Sequence, residues 1–271
     1  MNRNQSIAQG VDWSAPWLSQ VREAGQQIAS SADWRGELNR RAAFLRLSNH
    51  QHCPIRFVEQ RDLPSDRSYE AHISATGCVP TRDNLHDFFN ALIWLTFPAV
   101  KARLNALQAA QIAQLGVGKS RGPARDAATL FDENAAILAV TDDEAGQELV
   151  NALRSHQWDQ VFVQRRDQFA ELAEVVLFGH AIMEKLVQPY KAITAHTLIC
   201  RVDAHFHQLA AAEKTAMLDA RVAQQLASRE LLPAAFSPLP VLGVPGWWPQ
   251  QDRQFYADTA VFRPRRDQLP G

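Results

Sequence analysis

The chain has 271 residues, 46% of them hydrophobic, with 28 Lys and Arg against 29 Asp and Glu. That is apolar material enough for one sizeable core, and it excludes a disordered chain. A formal charge of -1 supplies no broad positive field, which argues against a nucleic-acid-binding protein whose grip rests on neutralising phosphates.

The opening MNRNQSIAQGVDWSAPW lacks the apolar run of a secretion signal, and no later segment approaches the roughly 20 apolar residues that span a bilayer. A cytoplasmic protein without membrane contact is the expectation. Cys53, Cys78 and Cys200 are widely separated, so neither a disulfide scaffold nor a zinc knuckle is indicated. Each reads as a small, inert apolar residue.

Helical material begins in SAPWLSQVREAGQQIA and resumes in WRGELNRRAAFLRLSN, which Pro54 ends. IRFVEQ reads as a short strand, and RDLPSDRSYEAHISATGCVP as turn-rich chain. From Thr81, a plausible cap, the pattern sharpens: Leu85, Phe88, Phe89 and Leu92 form one helical stripe. Ile93, Trp94 and Phe97 fall elsewhere around the same cylinder, so this helix should touch protein on more than one side. Pro98 permits a fresh start, and VKARLNALQAAQIAQL reads as a surface-packed helix paired or kinked with the first.

AQLGVGKS approaches the phosphate-loop spacing with Ala113 in place of the first glycine. That motif needs a strand before it and a helix directly after; here a helical pattern precedes Lys119 and Ser120, and Pro123 follows closely. The stretch reads as a break between elements. AATLFDENAAILAV places DENA between two short apolar runs, which predicts a hairpin over residues 128 to 140 with Asp132 capping its turn. ELAEVVLFGHAIMEKLVQ predicts one long helix whose core face is Leu172, Val175, Val176, Ile182, Met183 and Leu186, with His180 and Glu184 on its flank. ITAHTLICRV predicts a strand, and the alanine-rich run through ARVAQQLASRELL a long helix. The proline-rich tail LPAAFSPLPVLGVPGWWPQ reads as an extended wrap. The whole is expected to be a single α+β unit over residues 1–271, mainly helical, with a small antiparallel sheet or hairpin and wrapping terminal segments.

RDNLHDFFNALIWLTFP, LNAL at residues 104–107, RDAATLFDEN and GVPGWWP, in that order, resemble the bacterial family designated domain of unknown function 3025, from about Cys53 to the tail, approximately residues 53–266. The resemblance implies no particular activity, cofactor or mechanism. The family version of the hairpin often carries glycine after the asparagine, where this chain has Ala135; glycine accepts positive φ without strain and alanine does not.

Within the first strong helix, His86 and Asn90 are one turn apart, as are Asp83 and Asp87. A histidine can exchange a proton near neutral pH and a neighbouring carboxylate can orient it, so His86 and Asp87 are candidate catalytic residues. The structural alternative is helix capping and packing. Arg125, whose planar fork of donors suits a carboxylate or phosphate, and Asn90 are candidate substrate-binding residues. Asp126 and Asp132 could position water or a divalent ion, although no regular metal spacing is present and no cofactor is called for; the alternative is an arginine–aspartate clamp. His180, His196, His205 and His207 form no H-E-x-x-H pattern, and no G-x-S-x-G elbow is present. These residues point to a hydrolase for a small anionic substrate. The rival expectation is a noncatalytic binding protein that captures a protein partner, or nucleic acid at its basic end, through Trp247, Trp248, Arg263, Arg265 and Arg266.

Overall fold

A computed structural model describes residues 6–115, 122–228 and 230–265. Two helices come first, α1 (Arg22–Ala29) and α2 (Trp34–Phe44), the second capped by the Asp33 side chain, which accepts from the Gly36 amide at 2.8 Å. Next are β1 (Arg56–Val58), α3 (Tyr69–Thr76) and β2 (Cys78–Pro80); β1 and β2 pair in parallel with Phe57 opposite Val79. The segment read as turn-rich therefore holds a helix and a strand. Its compactness rests on Gly77, which ends α3 at φ +71° with only 2.3 Å between a Cβ there and the Pro54 carbonyl.

α4 (Leu85–Thr96) is buried continuously from Asp87 to Trp94, as a helix apolar all round must be. Its cap is Asn84, whose side chain accepts from the Asp87 amide at 2.8 Å. Thr81, expected in that role, is instead buried and donates its hydroxyl to the Val79 carbonyl, because the helix starts one turn later. α5 (Pro98–Leu115) begins directly at Pro98, where the missing amide costs nothing. Its first two free amides, Ala99 and Val100, donate to the Asp219 carboxylate at 3.0 and 2.9 Å.

The expected hairpin over residues 128 to 140 is not formed. α6 (Pro123–Asn134) runs through DEN, with Pro123 in the first turn and Ala127, Ala128 and Phe131 on its buried face. Only the second apolar run is extended: β3 (Ala135–Thr141), buried at all seven positions. The helix wins because its apolar residues recur at helical spacing, and the change to a continuous, almost wholly apolar run comes after Asn134. α7 (Glu144–Arg154), a π-helical turn at Gln160–Gln164 and α8 (Arg166–Leu172) follow.

The long helix expected from residue 171 is also replaced, by β4 (Ala173–Leu177) and α9 (His180–Lys185). Val175 and Val176 suit a pleated, buried edge, and Gly179 breaks the two apart. A Cβ at Gly179 would lie 2.4 Å from the Glu133 carbonyl and 2.5 Å from the Ala135 amide, so the turn into α9 closes against the backbone joining α6 to β3. Gly179→Ala should cost about 1–3 kcal/mol in urea unfolding, the usual range for forced overpacking; an unchanged midpoint would count against this contact.

β5 (Thr194–Val202), α10 (Ala211–Ser228), β6 (Ser237–Pro240) and α11 (Arg253–Tyr256) complete the chain. The main sheet has the order β4-β3-β5-β6: the central pair is parallel, with Ile137 opposite Leu198, and each outer pair is antiparallel. The tail thus adds an edge strand, a position that tolerates Pro238 and Pro240. The fold is α+β and predominantly helical with small sheets. Its buried apolar residues form one cluster from Ala8 to Phe262. Among the described residues no helix is long and apolar enough to cross a membrane.

Candidate active site

α4, α9, α6, α5 and α3 meet where β3 begins, around a cavity of about 510 Å³. The helices that carry it are joined by aromatic contacts: Phe131 of α6 stacks on Phe178 at 4.8 Å and on Phe236 at 5.8 Å, and Phe97 meets Phe178 edge-on at 5.6 Å.

Each helix contributes polar groups at its own spacing. His86, Asp87 and Asn90 from α4 line the cavity, as do Tyr69 and Glu70 from α3, Gln108 from α5, Arg125 and Asp132 from α6, and His180 from α9. His86, Asp87, Asn90, Arg125 and Asp132, all singled out from the sequence, thus surround one space. Asp126 does not: it is exposed in the first turn of α6. Asp83 also points away and pairs with Arg35 at 2.6 Å.

The carboxylate beside His86 is Glu184, not Asp87. Oε2 of Glu184 lies 2.9 Å from Nδ1 of His86, and Nε2 of His86 lies 3.0 Å from Nε2 of His180. With Nδ1–H of His86 donating to Glu184, His86 Nε2 is the acceptor and His180 Nε2–H the donor. Asp87 is taken up by Arg82, which reaches it through its backbone amide at 2.7 Å and two guanidinium nitrogens at 3.0 and 2.9 Å. That fork fixes the loop before α4, and no hydrogen bond joins Asp87 to the imidazole.

Behind the histidines lies a buried ion pair. Lys101 Nζ is 2.5 Å from Asp132 Oδ1 and 2.8 Å from Asn90 Oδ1, and it sits 5.4 Å from the centre of the Trp94 ring. Burial raises the Asp132 carboxyl, but Lys101 and the neighbouring histidines outweigh it and hold the group below the usual carboxylate range. Burial also pushes His180 down to about 4, against the opposing pull of Asp132, whose Oδ2 is 3.9 Å from His180 Nδ1. His180 is consequently a neutral imidazole at pH 7. Burial raises the Glu70 carboxyl as well, with Lys101, Asn105 and Arg125 opposing.

His180 makes stability depend on pH. Its folded pKa lies below the unfolded value of 6.5, so the unfolded chain takes up the proton first and stability falls as pH drops from 6.5 towards 4. The loss from this group should approach about 3 kcal/mol. Urea unfolding across that range should show a shallower slope for His180→Asn than for the parent chain; equal slopes would mean that His180 titrates normally.

The Arg125 side chain forms neither a hydrogen bond nor an ion pair with another described residue, although Glu70 feels its charge. It is the guanidinium on this wall left for a ligand. Among the described residues, no group of three or more His, Cys, Asp and Glu side chains is arranged to hold a metal ion. Asp132 spends its carboxylate on Lys101.

A family model described as a protein of unknown function, DUF3025, matches residues 55–266. The chain belongs to that family. Every residue lining the cavity, from Gln60 to His180, lies inside the DUF3025 match. No match was found among curated proteins or among solved structures.

Sequence reasoning missed Glu184 as the partner of His86 and missed Lys101, Tyr69 and Glu70 altogether. One signal was present: Lys101, Asn105 and Gln108 recur at core spacing on α5, all buried, next to the apolar Val100 and Leu104. The tail residues lie elsewhere. Trp247 and Trp248 are half-buried against the core, Trp247 6.2 Å from the Trp17 ring. The Arg263 carbonyl accepts from Trp158 Nε1 at 2.8 Å, Arg265 is exposed, and Arg266 lies outside the described residues, as do Lys119 and Ser120.

Proposed function

We propose that this DUF3025 protein is a cytoplasmic hydrolase of a small anionic substrate, in which His86 moves the proton and Arg125 holds the anion. The observation that carries the reading is the Glu184–His86–His180 chain, with contacts of 2.9 and 3.0 Å, opening on the same cavity as an unpaired guanidinium. Glu184 sets the tautomer and supports the imidazolium that forms. A water admitted at the Nε2 contact gives His86 its proton as the oxygen attacks, and the same imidazole returns that proton to the leaving group. His180 Nε2–H, freed from His86, becomes a neutral donor beside the reacting oxygen. Three free thiols, at Cys53, Cys78 and Cys200, accord with a reducing compartment.

The test is a hydrolysis screen of small phosphoesters, carboxylate-bearing amides and esters, run on the purified chain and two variants. Arg125→Ala should raise KM more than it lowers kcat, and His86→Ala should act on kcat. An activity that survives both substitutions unchanged defeats the assignment.

A further inference from the structure

The donors and acceptors at the back of the cavity can be counted without reference to any hydrogen position. Lys101 can only donate, so the Asn90 atom that faces it at 2.8 Å is the carbonyl oxygen. The other arm of the amide is then the NH2 group, and it donates to the Tyr69 hydroxyl oxygen at 3.0 Å. The phenol is thereby used as an acceptor. Its own proton has no acceptor among the described residues, and Tyr69 lines the cavity. The Ser68 hydroxyl beside it, also in the cavity wall, is buried without a partner. A buried polar hydrogen without an acceptor is costly unless something binds there.

Taking the cavity as the substrate site with Arg125 as its anchor, and so resting on the function proposed above, we propose that Tyr69 is a substrate-binding residue whose hydroxyl, with Ser68 and Arg125, grips an anionic oxygen of the ligand, a phosphoryl or a carboxylate group. The Lys101–Asn90 pair aims that hydroxyl: a cation fixes an amide, and the amide fixes the phenol. Burial and the charges of Glu70, Asp87 and Asp132 keep the phenol protonated far above neutral pH, so it serves as a donor and not as a base.

The experiment titrates inorganic phosphate and, separately, acetate into the full chain, reading heat and the 13Cζ resonances of labelled tyrosine. The chain has three tyrosines, Tyr69, Tyr190 and Tyr256, so the last two serve as internal controls. We expect one anion to bind and to shift Tyr69 alone, and Tyr69→Phe to weaken that binding at least about tenfold, as a lost hydrogen bond to a charged group does. Tighter binding of phosphate assigns a phosphoryl ligand, and tighter binding of acetate a carboxylate. His86→Ala should leave the binding in place, so a failure of the proton-transfer reading is visible separately from a failure of this one. The proposal is overturned if neither anion binds, if binding leaves the Tyr69 resonance unmoved, or if the phenylalanine variant binds as well as the parent chain. The labelled parent chain still reports on Tyr69 where a variant does not fold.

Discussion

Replacing Lys101 with methionine should lower the free energy of unfolding at pH 7 by about 3–5 kcal/mol, the usual cost of leaving one member of a buried ion pair behind. Lys101 and Asp132 are 5% and 8% exposed, so the carboxylate left behind is poorly solvated when the ammonium goes. The Asn90 carbonyl loses its donor in the same step. The double variant Lys101→Met, Asp132→Leu removes both charges and should recover much of the loss, because the methionine then meets an apolar neighbour. Urea unfolding of both variants decides it. A single-variant loss below about 1 kcal/mol, the value of a solvated pair, would mean that water reaches Asp132.

His86→Ala should reduce kcat on any substrate found in the hydrolysis screen by about 10²–10⁴-fold, the usual contribution of a positioned acid–base group. Because His86 lies at the cavity wall with a third of its side chain exposed, the variant should still fold. Glu184→Gln should fall between the two, since the amide can still meet Nδ1 but cannot support the imidazolium. Asp87→Asn separates this arrangement from the one expected from spacing along α4. With Asp87 bound by Arg82, its substitution should act on stability and leave the pH dependence of kcat in place. A pH profile altered by Asp87→Asn and unaltered by Glu184→Gln would reverse the two roles.

The legible parts of this protein were those written in neighbouring residues. The α4 stripe, the Pro98 restart, β5 and α10 follow from local periodicity and from proline's missing amide. The cluster of polar groups in α4 stood out because it interrupts an otherwise apolar cylinder. What stayed hidden depends on long separations: His86 meets His180 94 residues away, and Lys101 meets Asp132 31 residues away. In α5 a lysine between Val100 and Ala102 reads as surface, since only the fold brings a carboxylate to it. β4 was hidden differently, its AEVVL run carrying apolar residues at spacings that fit a helix as well as a strand until Gly179 is given weight. The same ambiguity turned LFDEN into half of a hairpin.

Asp219 sits on α10, outside the cavity lining, yet its carboxylate holds free amides in the first turn of α5. Lys101 follows Val100 directly in that turn. Damage to α10 would therefore reach the ammonium behind the histidines, so a stability survey should find Asp219 coupled to Lys101 although α10 lines no part of the cavity.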